Sequence, residues 1–305
     1  MGRLTLKKLI LGVAALGVFV VVFVRPPIIK NTLKRIRGDA PRVTTSTPRA
    51  STGPQGTGLL FYEDFELGKI GPGWTEIGIH PKTTPPENSD SIDIVTTPVR
   101  KGNYALKIIV HPEDGVYPGD RRADKERAEL VRQKFEATEG RELWYAWSIF
   151  LPVGYEYIYE KGGFHIMGQW HDQPDPGEEP TGYSPPIRVD YRPDLGSLSL
   201  LYGRIQVFDD PQQTVNIPIT LGTWTDLMFH IKFSQGNDGF VEVYKNGVQV
   251  GKRITGPNMF NAEPNYLRIG LYRGPKRGGT GQPQTNILYY DEIKTGTTRE
   301  SVFLQ

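Results

Sequence analysis

The chain has 305 residues, 37% of them hydrophobic and 11% aromatic, enough apolar surface to bury a core and too much for global disorder. Cysteine is absent, which excludes disulfides, thiolate nucleophiles, zinc ribbons, iron–sulfur clusters and a lipidated N-terminal cysteine. The net charge of +2 is uneven: residues 1–58 carry ten Lys/Arg against Asp39, a surplus of +9 that leaves −7 on the remainder, a poor match to nucleic acid.

Lys7-Lys8 precede an apolar run from Leu9 to Val24, which Arg25-Pro26-Pro27 ends. Its 16 residues fall short of the ~20 that cross a bilayer comfortably. No small-x-small cleavage site succeeds it, so residues 1–30 are expected to form a signal anchor, with a cleaved signal peptide as the alternative. Arg25, Lys30, Lys34, Arg35 and Arg37 outnumber the three basic residues before the run, and the positive-inside rule alone would put the C-terminal side of the run in the cytoplasm. Residues 31–58 are basic and rich in Ser, Thr, Pro and Gly, without the apolar groups to offset ordering, and read as a disordered linker.

From Leu59 to the end at 305 the period is two, which predicts one all-β domain. Strands are expected at 60–65, 104–111, 127–134, 143–150, 164–171, 187–191, 198–208, 224–233, 240–244, 248–253, 266–272 and 287–294. Asn246-Gly247 supplies the two positive-φ residues of a type I′ hairpin turn. No amphipathic helix longer than two turns and no fixed-period repeat is evident. About twelve strands in about 250 residues predict a jelly-roll, concanavalin-like antiparallel β-sandwich.

Three of these strands carry polar residues on one face. Arg127 and Glu129 share a face, with Ala128 and Leu130 turned to the core, and the carboxylate would orient the guanidinium. Strict alternation places Gln169 and His171 together, along with Met167 and His165, and Trp170 opposite them. His165 is read as scaffold. Arg268 and Tyr272 flank Gly270, whose missing side chain would let a ligand approach. Taken singly, the first segment reads rather as an ordinary surface ion pair and the second as a structural histidine, while the third is read equally well as a core strand. Arg121, Arg122, Lys125, Arg127 and Arg132 form one basic cluster, and Arg268, Arg273, Lys276 and Arg277 another.

In order, R-A-E-L at 127–130, Q-W-H at 169–171 and Y-L-R-I-G-L-Y at 266–272 resemble the signature blocks of jelly-roll alginate lyases, R-T-E-L, Q-I-H and Y-F-K-A-G-x-Y. The wider sequence, including Tyr290-Asp291-Glu292-Ile293-Lys294, is similar to the group that also holds heparin lyase I and glucuronan lyases. The resemblance spans roughly residues 59–300. Trp170 and Arg268 depart from the alginate-lyase pattern, which puts alginate itself in doubt as substrate.

The resemblance implies a polysaccharide lyase that cleaves a uronic-acid polymer by β-elimination, leaving a 4,5-unsaturated sugar. His171, Tyr272, Gln169 and Arg127 would be the catalytic residues; Glu129, Arg268, Arg132 and Arg273 would bind substrate. Arg127 and Gln169 would neutralise the uronate carboxylate, with either His171 or Tyr272 as base and Tyr272 as acid. No metal or other cofactor is required, and a structural Ca²⁺ is compatible with the chemistry. The expected partner is an anionic polysaccharide, not nucleic acid, with membrane contact through the N-terminal segment and a monomeric domain. A depolymerase of extracellular polymers is useful outside, so export is expected, either membrane-anchored or secreted. The alternative is a non-catalytic carbohydrate-binding sandwich. A sandwich glycoside hydrolase would need an E-x-D-x-x-E strand, which is not evident.

Overall fold

The computed structural model describes residues 57–79, 90–112, 126–156, 163–177, 185–204, 213–274 and 284–304. The anchor and most of the linker expected upstream lie outside the described residues. Among the described residues no helix is long and apolar enough to cross a membrane.

Among the described residues fifteen strands occur in chain order: β1 (Leu59–Glu63), β2 (Glu76–Ile79), β3 (Ile92–Val95), β4 (Ala105–Val110), β5 (Glu126–Ala137), β6 (Glu142–Phe150), β7 (His165–His171), β8 (Ile187–Arg192), β9 (Ser197–Tyr202), β10 (Gln213–Pro218), β11 (Trp224–Lys232), β12 (Phe240–Lys245), β13 (Val248–Thr255), β14 (Asn265–Arg273) and β15 (Asn286–Gly296). A 3₁₀ turn at Pro193–Leu195 and the short helix α1 (Arg299–Val302) are the helical pieces among the described residues. The strands form two antiparallel sheets. One runs β13-β12-β11-β6-β15-β4-β3 with β1 added on β15; the other runs β10-β9-β8-β7-β14-β5-β2.

All twelve expected strands are present, the part of the seventh beyond 204 lying outside the described residues. The three additional ones, β2, β3 and β10, are each the edge of a sheet. An edge strand packs against one neighbour and is kept short, so it shows few turns of alternation to read. Asn246 and Gly247 join β12 to β13 with φ of 49° and 79°, the two positive values a type I′ turn requires.

The two sheets enclose one core. Trp170 from β7 and Trp147 from β6 lie with ring centroids 5.6 Å apart, and Phe229 from β11 packs on both. Leu130 and Ile269 fill the seven-stranded sheet's inner face and Ile108 and Leu288 the other's. Strand alternation leaves the outer face of the seven-stranded sheet for polar groups.

One irregularity shapes that face. On β7 the pairing with β8 shifts between Ile166 and Gly168, and the pairing with β14 shifts between Ile269 and Tyr272. Such a bulge turns Met167 to the core beside Trp170, and it carries His165 inward too, against Tyr155 and Tyr191. Strict alternation had placed Met167 and His165 with Gln169 and His171; the extra residue breaks that period. Tyr290, reaching across from β15, sets its hydroxyl 2.5 Å from the Met167 carbonyl and 2.8 Å from that of Gly270. A buried phenol from the opposite sheet thus serves backbone acceptors displaced by the bulge.

Candidate active site

Ala128 and Leu130 enter the core, so Arg127 and Glu129 face outward from β5. By the same rule Trp170 buries and Gln169 and His171 face outward from β7, while Leu267, Ile269 and Leu271 bury and leave Tyr266, Arg268 and Tyr272 on the open face of β14. Because β14 lies between β5 and β7, the three segments become neighbours. Arg268 opposes Gln169, Tyr266 opposes His171 and Tyr272 opposes Arg127.

Glu129 is the hub, only 1% exposed. Gln169 Nε2 donates to its Oε1 at 2.5 Å, Arg127 Nε pairs with its Oε2 at 3.0 Å, and Arg268 Nη1 reaches the same oxygen at 3.5 Å. One carboxylate therefore aims two guanidinium groups and an amide, and two cations against one anion leave a positive surplus to meet an anionic ligand. Grouped from the sequence with substrate-binding residues, Glu129 has both carboxylate oxygens engaged by Gln169, Arg127 and Arg268 of the same cluster. Arg268 Nη2 also donates to the Tyr266 hydroxyl at 2.8 Å.

His171 Nδ1 lies 2.8 Å from the backbone carbonyl of Asp172. A carbonyl only accepts, so Nδ1 carries the proton and Nε2 holds the lone pair. Burial first, and then the positive field of Arg268, depress its pKa to about 4. At neutral pH the imidazole is uncharged and Nε2 is a proton acceptor. Its ring leans on that of Tyr266, 5.5 Å between centroids.

Tyr272 lies beneath Arg127, whose Cζ is 3.8 Å from the ring centroid, and against Phe164 at 4.8 Å. The ladder sets Tyr272 opposite Ile166, five positions along β7 from His171 or on the order of 16 Å of strand. His171 and Tyr272 therefore bound the site at its two ends, with Gln169, Arg268, Glu129 and Arg127 between them.

Two expected substrate-binding residues belong elsewhere. Arg132 shares the parity of Ala128 and Leu130 and turns inward, 5% exposed, stacking on Phe61 and pairing with Glu136 at 2.6 Å. Arg273 shares the parity of Leu271 and is 2% exposed, held by Glu126, Asn286 and the Gln284 carbonyl. Both tie strands together at the sheet's inner side. Gly270 likewise leaves no room for a ligand: at φ +147° a Cβ there would stand 2.2 Å from the Ala128 carbonyl oxygen. The space is filled by the backbone of β5.

Arg188 and Asp190 on β8 were not singled out from the sequence. Val189 and Tyr191 bury, so these two share the open face, Arg188 directly opposite Gln169, and they pair at 3.2 Å. Ile-Arg-Val-Asp-Tyr-Arg carries the same alternation that sets Arg127 and Glu129 on the outer face of β5. Among the described residues no group of three or more His, Asp or Glu side chains is arranged to hold a metal ion.

The fold is a two-sheet antiparallel sandwich with a row of cations, an amide, an imidazole and a phenol across one open face. Residues 65–294 match the polysaccharide lyase family, and the chain belongs to that family. It is a polysaccharide lyase, an enzyme that breaks carbon–oxygen bonds in polysaccharides. The fold is similar to that of the endo-β-1,4-glucuronan lyase of the fungus Trichoderma reesei, with a TM-score of 0.57, 19% identity, and 80% of this chain and 98% of that one covered. Looser likenesses reach the alginate lyase vAL-1 of a Chlorella virus (TM-score 0.47, 15% identity, 79% and 100% covered) and a family 131 glycoside hydrolase catalytic domain of Coprinopsis cinerea (0.48, 13%, 76% and 85%). No curated protein matches the chain in sequence.

Proposed function

We propose that this lyase cleaves a uronic-acid polymer by β-elimination at the open face of the seven-stranded sheet. The observation that carries the reading is the cluster around Glu129: Arg127, Arg268 and Gln169 converge there beside a histidine whose Nε2 is unprotonated. Removing the C5 proton of a uronate builds charge on a group already anionic, so a preorganised pair of guanidinium groups supplies what the reaction needs most.

In the proposed cycle Arg127 and Arg268 hold the substrate carboxylate. A base takes the C5 proton, the electron pair forms the C4–C5 double bond, and the C4–O bond breaks. Where proton and leaving oxygen lie on opposite faces, His171 Nε2 is the base and the Tyr272 hydroxyl protonates the leaving oxygen, which requires the imidazole and the phenol to extend from the two ends of the row toward one sugar held between them. Where both lie on one face, Tyr272 serves in both roles. The cation above its ring places that phenol beside the carboxylate clamp.

The test is incubation of the purified protein with polyglucuronate, polymannuronate, polyguluronate and heparin-type chains, read by the ultraviolet absorbance of the unsaturated product. Signal is expected on at least one polymer, with Tyr272→Phe reducing kcat by about 10²–10⁴-fold. Absence of signal on every uronate polymer would refute the reading. We propose in addition that the protein works outside the cell, held or released by its first 30 residues; protease accessibility on intact cells checks this.

A further inference from the structure

Beyond the Glu129 cluster the open face carries a second cation with its own counter-ion. Arg268, Gln169 and Arg188 stand in one row across β14, β7 and β8. Cross-strand neighbours are ~5 Å apart, so the two arginines flank the amide at about 10 Å from one Cβ to the other. Gln169 Nε2 is committed to Glu129, and its Oε1 is buried without a hydrogen-bond partner among the described residues. Arg127-x-Glu129 on β5 and Arg188-x-Asp190 on β8 are the same device, an arginine oriented by an acid two residues on, set on either side of the central β14–β7 pair.

Stability does not account for the second pair. The side chains of Arg188 and Asp190 are only 13% and 7% exposed, and a pair so desolvated is seldom more stable than apolar packing in its place. Burial raises the Asp190 carboxyl above its ordinary range even with Arg188 beside it. Ile187 and Val189 fill the core face of β8, and the face it shares with Gln169 carries the charged pair. Three strand spacings separate β5 from β8, about 14 Å, room for more than one sugar ring between the two clamps.

We infer that Arg188, oriented by Asp190, binds the carboxylate of a second uronate in the same polymer chain, so that the enzyme selects stretches of contiguous uronic acid. The inference deepens the proposed function and rests on its placement of substrate across this face.

Binding to contiguous polyglucuronate, polymannuronate and polyguluronate, and to a polymer alternating uronate with a neutral sugar, tests it by affinity electrophoresis of the full chain. Arg188→Gln is expected to weaken binding to the preferred contiguous polymer at least about tenfold, with a shallower salt dependence, and to change the alternating polymer less than about twofold. Arg188→Lys keeps the charge without the fork and should fall between, with its melting temperature held because Asp190 keeps a cationic partner. Equal losses on both kinds of polymer, no loss on the contiguous one, or no wild-type binding to any contiguous polyuronate would each overturn the inference. If Arg188→Gln itself melts earlier, the Arg188→Lys variant decides alone, by the same contrast between polymers. Polymer bound but never cleaved would instead refute the proposed elimination, while the Arg188 contrast would still be read from binding.

Discussion

His171 shows how strongly one residue's surroundings set its chemistry. Its pKa of about 4 means that acid should shut the site down near pH 4 and not near the ordinary imidazole value of 6.5. A pH profile of kcat/KM, or titration of the imidazole by NMR, checks this; an acid limb at 6.5 tied to His171 would contradict it. The same depressed pKa couples folding to pH. The unfolded chain takes up a proton below 6.5 that the folded one refuses until about 4, so stability is whole above 6.5 and is lost as pH falls toward 4. At ~1.4 kcal/mol per pKa unit the loss approaches roughly 3 kcal/mol, and His171→Gln should flatten that part of the curve. Glu129 raises the same pKa, so Glu129→Gln should lower it further while releasing Arg127 and Arg268 from their common partner. For that variant kcat/KM should fall about 10²-fold, the cost of misplacing groups that remain present.

At the scale of elements, the site depends on the bulge in β7 and its pairing with β14. Tyr290 enters that junction from the opposite sheet, and burial holds its phenol well above its ordinary pKa, so it stays a donor. Tyr290→Phe keeps the ring and removes the hydroxyl, stranding buried carbonyls at a cost of about 1–3 kcal/mol. The lower midpoint in denaturant should be accompanied by reduced activity, because Gln169 and Tyr272 lie on either side of the bulge. A stable variant with full activity would show that the junction holds itself. Gly270→Ala should be worse, since its Cβ meets the β5 backbone and the positive φ disfavours any side chain.

Across the molecule, charge is distributed against the average. The region after residue 58 is net acidic at −7, yet Arg127, Arg268 and Arg188 gather on one open face. Attraction for a polyanion is therefore local and open to screening. Raising salt from 0.1 to 1 M shortens the Debye length from ~10 to ~3 Å, so KM for the polymer should rise steeply while kcat changes little. Initial rates over a salt series measure this. A KM indifferent to salt would mean that these cations do not meet the polymer.

Period-two alternation by itself determined the class of fold, the twelve strands with two packed neighbours or strong patterns, and which faces of β5 and β14 carry polar groups. It also held the answer for Arg132 and Arg273, whose parity matches the buried Ala128 and Leu271, although their place in basic clusters argued for the surface. Arg188 and Asp190 were equally legible in their strand, but only the pairing of β7 with β8 brings them to Gln169. Tertiary structure alone decided the rest. A bulge adds one residue and inverts the period after it, so no local pattern could place His165 and Met167 inward. Nor could it show that Glu129 unites three strands, because strand order and register are set by packing between residues far apart in the chain.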